Sequence, residues 1–92
     1  MPKPTEQQLQ TALQEAARMR EHGQDPHHLA RALLNLNYRL GHLQRLMHAV
    51  GAYLRSGEDS HQHAELLRAL EQARRAEEGD HESEDRQPMG LA

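Results

Sequence analysis

Eight large apolar residues, Leu29, Leu33, Leu36, Leu40, Leu43, Met47, Val50 and Leu54, follow one another at intervals of 4, 3, 4, 3, 4, 3 and 4. That spacing is a heptad seam, which holds all eight side chains on one stripe of an α-helix and suits packing against a second helix. Leaving them in water would forgo about 1.5 kcal/mol or more for each. A helix of this length also gains only marginal stability from residue propensity, so the stripe calls for a cover. Nothing between Pro26 and Ser56 halts the helix, which predicts roughly 31 residues and about 46 Å of helix. Gly41 and Gly51 each weaken it by up to about 1 kcal/mol without breaking it.

The remaining composition agrees with a helical chain. Leu, Ala, Gln, Glu and Arg dominate the 92 residues, Val occurs once and Ile never, so little in the chain favours a strand. Turn chemistry then divides it. Thr5 and Gln8 have capping-box spacing, and Gly23 suits a left-handed stop, so a first helix is expected over about 5–22. Asp25-Pro26 reads as N-cap and first helical residue of the second helix, over 26–56. After Ser56-Gly57, Asp59 or Ser60 caps a third, over 59–78, which Gly79 should end. One helical domain over 1–79 is therefore expected, followed by a disordered acidic tail over 80–92 that has no apolar period.

The apolar supply is uneven. Helix 1 offers Leu9, Ala12, Leu13, Ala16 and Met19 on one arc, and helix 3 offers Leu66, Leu67, Leu70 and Ala73, with His63 among them. Both stripes are thinner than the seam of helix 2. Folded back as hairpins, helices 1 and 3 should each cover part of helix 2 and leave both ends of its seam bare. The expected architecture is all-α, three helices with a long central one, the bundle completed by homodimerisation. The dimer interface would comprise the eight seam residues and Gly41, where a missing Cβ permits close approach near the midpoint, in a twofold and preferably antiparallel pair.

Charge is divided between elements. Residues 26–56 hold Arg31, Arg39, Arg45 and Arg55 and no acid, whereas 58–78 hold six acids. Bundle complementarity explains this, with Arg39 beside the seam reaching a carboxylate of helix 3 or of a second subunit. The alternative is a nucleic-acid-associated regulator that uses Arg31, Arg39, Arg45 and Arg55. Phosphate binding needs a cationic stripe, and at about 100° per residue these four spread around the helix; the sequence pI near 6.2 also opposes it.

Other chemistries lack their residues. With no Cys there is neither a thiol nucleophile nor a thiolate metal site, and Ser56, Ser60 and Ser83 lie outside any nucleophile elbow. The eight histidines, His22, His27, His28, His42, His48, His61, His63 and His81, contain no pair three or four apart, the spacing by which a helix chelates a metal. No cofactor is expected, and the chain reads as non-enzymatic. A mean hydropathy of -0.98 and the polar start Met1-Pro2-Lys3-Pro4 predict neither a membrane span nor a secretory signal, hence a cytoplasmic protein.

The stretch Met19-Arg20-Glu21-His22-Gly23-Gln24-Asp25-Pro26-His27-His28-Leu29-Ala30, continued by Tyr53-Leu54-Arg55-Ser56-Gly57, resembles small uncharacterised α-helical proteins of Gram-negative bacteria. The resemblance covers most of the first two helices, carries no catalytic or binding motif and implies no activity. The expected function is a self-associating helical interaction or regulatory module, a homodimer with scope for a further protein partner.

One consequence is electrostatic. Net charge is -3 with neutral histidines and +5 with all eight protonated, so the chain crosses neutrality within the histidine range, and solubility should be lowest at about pH 6. Light scattering measured from about pH 7.5 to 5.5 should rise, and a flat profile would refute this.

Overall fold

The computed structural model describes residues 1–85. They form three α-helices, α1 (Glu6–Glu21), α2 (Leu29–Arg55) and α3 (Ser60–Asp85), with a 3-10 turn, Pro26–His28, ahead of α2. The class is all-α, with a long central helix. These helices belong to two compact units. The first, Met1–Asn37, holds α1 and the start of α2; the second, from Tyr38 onward, holds the rest of α2 with α3.

In the first unit the caps decide where the chain turns. The Thr5 hydroxyl accepts from the Gln8 amide at 3.0 Å, and the Gln8 side chain accepts from the Thr5 amide at 2.9 Å, which completes the expected capping box. α1 closes in a Schellman motif: Gly23, at φ 66°, donates to the Arg20 carbonyl, and Gln24 donates to that of Met19. Ala16 of α1 and Ala30 of α2 are buried, and Leu9, Leu13, Met19, Leu33 and Leu34 are half-buried.

The start of α2 departs from the expectation. The helix begins at Leu29 and not at Pro26, because His27 and His28 adopt left-handed backbones at φ 58° and 60°. Asp25 still caps it, but at longer range. Its carboxylate accepts from the Ala30 amide at 2.6 Å and the Arg31 amide at 3.0 Å, two first-turn donors with no partner inside the helix. The Pro26–His28 turn brings the carboxylate to them. Arg20 lies 3.8 Å from the same carboxylate, which is only 10% exposed. Burial pushes the Asp25 pKa up, and the Ala30 and Arg31 amides, with the charges of Arg20 and His28, outweigh it, so the net shift is downward.

In the second unit, α2 ends in another Schellman motif, with Gly57 at φ 75° and the Glu58 amide bonded to the Tyr53 carbonyl at 3.1 Å. Asp59 accepts from the His61 amide at 2.7 Å and opens α3. The expected stop at Gly79 is corrected, since α3 runs through that glycine to Asp85. After Gly23 and Gly57 the chain meets Asp25-Pro26 and Asp59-Ser60, which precede new helices. One glycine within a helix costs only about 1 kcal/mol. Residues 80–85 of the expected disordered tail are therefore helical, and the remainder, 86–92, lies outside the described residues. Ala73 and Ala76 are buried here, and Leu46, Tyr53 and Leu66 are half-buried.

The left-handed histidines carry a testable cost, because that backbone is unfavourable by about 1–2 kcal/mol for a residue with a Cβ and neutral for glycine. His27→Gly or His28→Gly should raise Tm by a few degrees in thermal circular dichroism, whereas Asp25→Ala should lower it. The Asp25 contribution is fully present above the ordinary carboxylate pKa and is lost as pH falls through the lower folded value. The wild-type advantage over Asp25→Ala should accordingly shrink below about pH 4.

Candidate interaction surface

Two side-chain pairs fix how α3 lies on α2 within the second unit. Arg39 donates from Nη2 to the Glu77 carboxylate at 2.8 Å, with Nε 3.2 Å from both carboxylate oxygens. Fourteen residues further along α2, the Tyr53 ring meets the His63 ring, fourteen residues earlier on α3, at 5.7 Å. The helices are therefore antiparallel in constant register, and the line of contact on α2 passes through Arg39, Leu46 and Tyr53. His63, expected at the edge of an apolar stripe, is exposed and sits against Tyr53.

That contact line is not the seam. At about 100° per residue the heptad stripe is centred roughly a quarter turn away, and its residues face outward. Leu29 is 61% exposed, Met47 70% and Leu54 63%; Leu36, Leu40, Leu43 and Val50 are also exposed, and Leu33 alone is half-buried. The expectation that helix 3 covers its part of the seam is corrected, for Leu40, Leu43, Met47, Val50 and Leu54 are exposed within the second unit. The reason lies in the other stripes of the helix. Leu46 and Tyr53 form a separate apolar line one position ahead of the seam, and α3 takes that line.

The opposite side of the second unit mixes small apolar residues with polar ones. Gly41, Arg45, His48 and Ala52 of α2, with Gln62, Glu65, Ala69 and Gln72 of α3, line an open groove. Gly41, expected at the dimer interface, lines this groove, one position round the helix from Leu40 of the seam. A Cβ built on Gly41 would meet only the Arg45 guanidinium, at 3.9 Å, so nothing in the chain's own packing demands glycine there.

With the groove on one side of the contact line, Leu67 falls on the other, the side of the seam. Leu67 is exposed at 53% and Leu70 at the margin. Together with Leu40, Leu43, Met47, Val50 and Leu54 they give the second unit one apolar face contributed by both helices. This corrects the expectation that Leu67 and Leu70 belong to the buried stripe of helix 3. A signal is present in the sequence: Leu66 and Leu67 are adjacent, and residues about 100° apart cannot both lie on one contact line.

The flanks of the seam are nearly free of net charge. On the heptad, Leu29, Leu36, Leu43 and Val50 are d and the other four are a, so the e positions are Ala30, Asn37, Gln44 and Gly51, and the g positions Ala32, Arg39, Leu46 and Tyr53. Arg39 is the one charged residue among these eight, and Glu77 neutralises it. The Arg39 hydrogen bond, opposed by burial, lowers the Glu77 pKa. Arg31, Arg45 and Arg55 occupy outer positions, so the four arginines share no face of α2. Arg45 bonds to His42 at 3.3 Å. Among the described residues no three His, Asp or Glu are grouped as metal ligands, and no helix is long and apolar enough to cross a membrane.

Comparison with family models, curated proteins and solved structures returned no match.

The Arg39–Glu77 pair gives a pH-dependent expectation. With a lowered folded pKa, Glu77 stabilises the fold fully above the unfolded carboxylate value, about 4.3, and less as pH falls through its folded value. Glu77→Gln should lower Tm slightly at neutral pH and converge with wild type in acid. Equal Tm differences at all pH values would refute the linkage.

Proposed function

We propose that this protein is a non-enzymatic, self-associating helical interaction module, and that a second copy of the same chain covers the α2 seam. The observation that carries this is the exposure of seven of the eight seam side chains of α2, at heptad spacing, while the chain fully buries only alanines, Ala16, Ala30, Ala73 and Ala76, among the described residues. A soluble monomer rarely leaves a contiguous apolar patch of this kind open.

Area and charge favour a second copy as the occupant. Seven seam residues with Leu67 and Leu70, each roughly half exposed, offer on the order of 800 Å² per copy, which is what each partner contributes to a standard stable interface. A heptad seam also matches itself, because the knobs of one helix fit the holes of an identical one. No uncompensated like charges meet on the flanks, and α2 carries no acid to attract a foreign basic helix. An enzymatic reading has no support in the residues: the polar side chains of the open groove are Arg, His, Gln and a Glu65 already bonded to Arg68 at 2.7 Å.

Sedimentation tests the reading. Wild type should run as a dimer at micromolar concentration. Leu43→Asp would place a carboxylate on the seam and should give monomer with partial loss of helicity, because a charge buried in an apolar interface costs several kcal/mol. Gln44→Asp, one position round the helix, should change dimer affinity by less than about tenfold. A compact, stable wild-type monomer overturns the proposal.

A further inference from the structure

We infer that the two copies pair their α2 helices antiparallel, with Leu40 of one opposite Leu43 of the other, Leu36 opposite Met47, Leu33 opposite Val50 and Leu29 opposite Leu54. The inference rests on the self-association proposed above and specifies the geometry of the same surface.

Three features of the chain select this orientation. The first is the residue order within the heptad. Parallel two-stranded pairs favour β-branched residues at a and Leu at d. Here a holds Leu33, Leu40, Met47 and Leu54, none of them β-branched, while the one β-branched residue of the seam, Val50, is at d beside Leu29, Leu36 and Leu43.

The second feature is the flanks. In a parallel pair each g residue stands beside the e residue five positions further along the other helix, so Tyr53 would face residue 58, beyond the end of α2 at Arg55. In the antiparallel register g meets g and e meets e, within helix on both sides. Tyr53 then lies beside Ala32, a large side chain against a small one, and Arg39 lies beside Leu46. Asn37 lies beside Gln44, two amides that can bond to each other.

The third is the peptide dipole. Two long parallel helices place like ends together, whereas antiparallel ones place each positive end beside a negative end. The effect is modest, and it has the same sign as the other two. The seam is thus fully paired about a twofold axis between Leu40 and Leu43, an isologous and closed arrangement that leaves no unfilled half to recruit further copies. It also sets the two α2–α3 turns at opposite ends of the paired helices, about 40 Å apart for helices of 27 residues.

The absence of native cysteine makes the orientation directly readable. Leu36→Cys and Met47→Cys, prepared with tags of different length, are refolded alone and as a mixture, oxidised, and resolved without reductant. The antiparallel pair predicts a cross-linked heterodimer from the mixture and little product from either variant alone, since position 36 and its own copy lie about 16 Å apart along the axis at 1.5 Å per residue. Because these changes remove apolar side chains from the seam, Asn37→Cys with Gln44→Cys repeats the test at its edge. Sedimentation of each variant reports whether it still associates. Cross-linking of each single variant with itself, or dimers that cross-link in neither pairing, overturns the antiparallel register while leaving self-association standing. Monomeric wild type overturns self-association itself.

Discussion

A small helical chain must find cover for its large apolar side chains, and here most of them are concentrated on one stripe of one helix. α1 and α3 bring few aliphatic residues, and where helices meet within each unit the fully buried positions are alanines. Alanine lets backbones approach closely but removes little apolar area from water. The second unit has the same economy: α3 is held to α2 by Leu46 and Leu66, by the ring contact between Tyr53 and His63, and by the Arg39–Glu77 pair. Exposed ion pairs of this kind contribute under about 1 kcal/mol. On the proposed self-association, covering the seam would add to that stability, and apparent stability would then depend on protein concentration.

The helix boundaries show which sequence signals act locally. Thr5 with Gln8, Gly23 and Gly57 are legible because each cap is complete within a single turn and nothing distant competes. Asp25-Pro26 is ambiguous because the same carboxylate can cap a helix directly or across a turn. The choice depends on whether His27 and His28 accept left-handed backbones, a cost that no local pattern announces. Gly79 misleads for the opposite reason: a glycine permits a helix to end without requiring it.

For the candidate surface, spacing alone discloses the stripe on α2, since a heptad interval specifies a face whatever that face meets. Spacing does not disclose which of the apolar lines on α2 the third helix chooses. Leu46 with Tyr53 is a sparser line than the seam, yet it is flanked by Arg39, whose partner Glu77 sits at matching distance along α3. Polar complementarity along the hairpin thus decides a choice that hydrophobic spacing leaves open. Gly41 is near the seam's midpoint along the chain, whereas its angle on the helix puts it in the groove between α2 and α3.

The Arg39–Glu77 pair then has a second consequence, outside its own unit. Arg39 stands at a flank of the seam, and in the antiparallel register its side chain runs beside Leu46 of the second copy. A guanidinium without a counter-charge would resist that approach, because covering it strips water from a fixed charge. Bonded to Glu77 through both nitrogens of its fork, it presents a neutralised head, and its methylene stem can lie over the leucine. The contact that sets the register of α3 on α2 also removes the one charge beside the seam. In the proposed dimer, docking of α3 would therefore favour association, since the hairpin with Arg39 bonded to Glu77 offers a second copy a surface that is apolar at its centre and neutral at its edge.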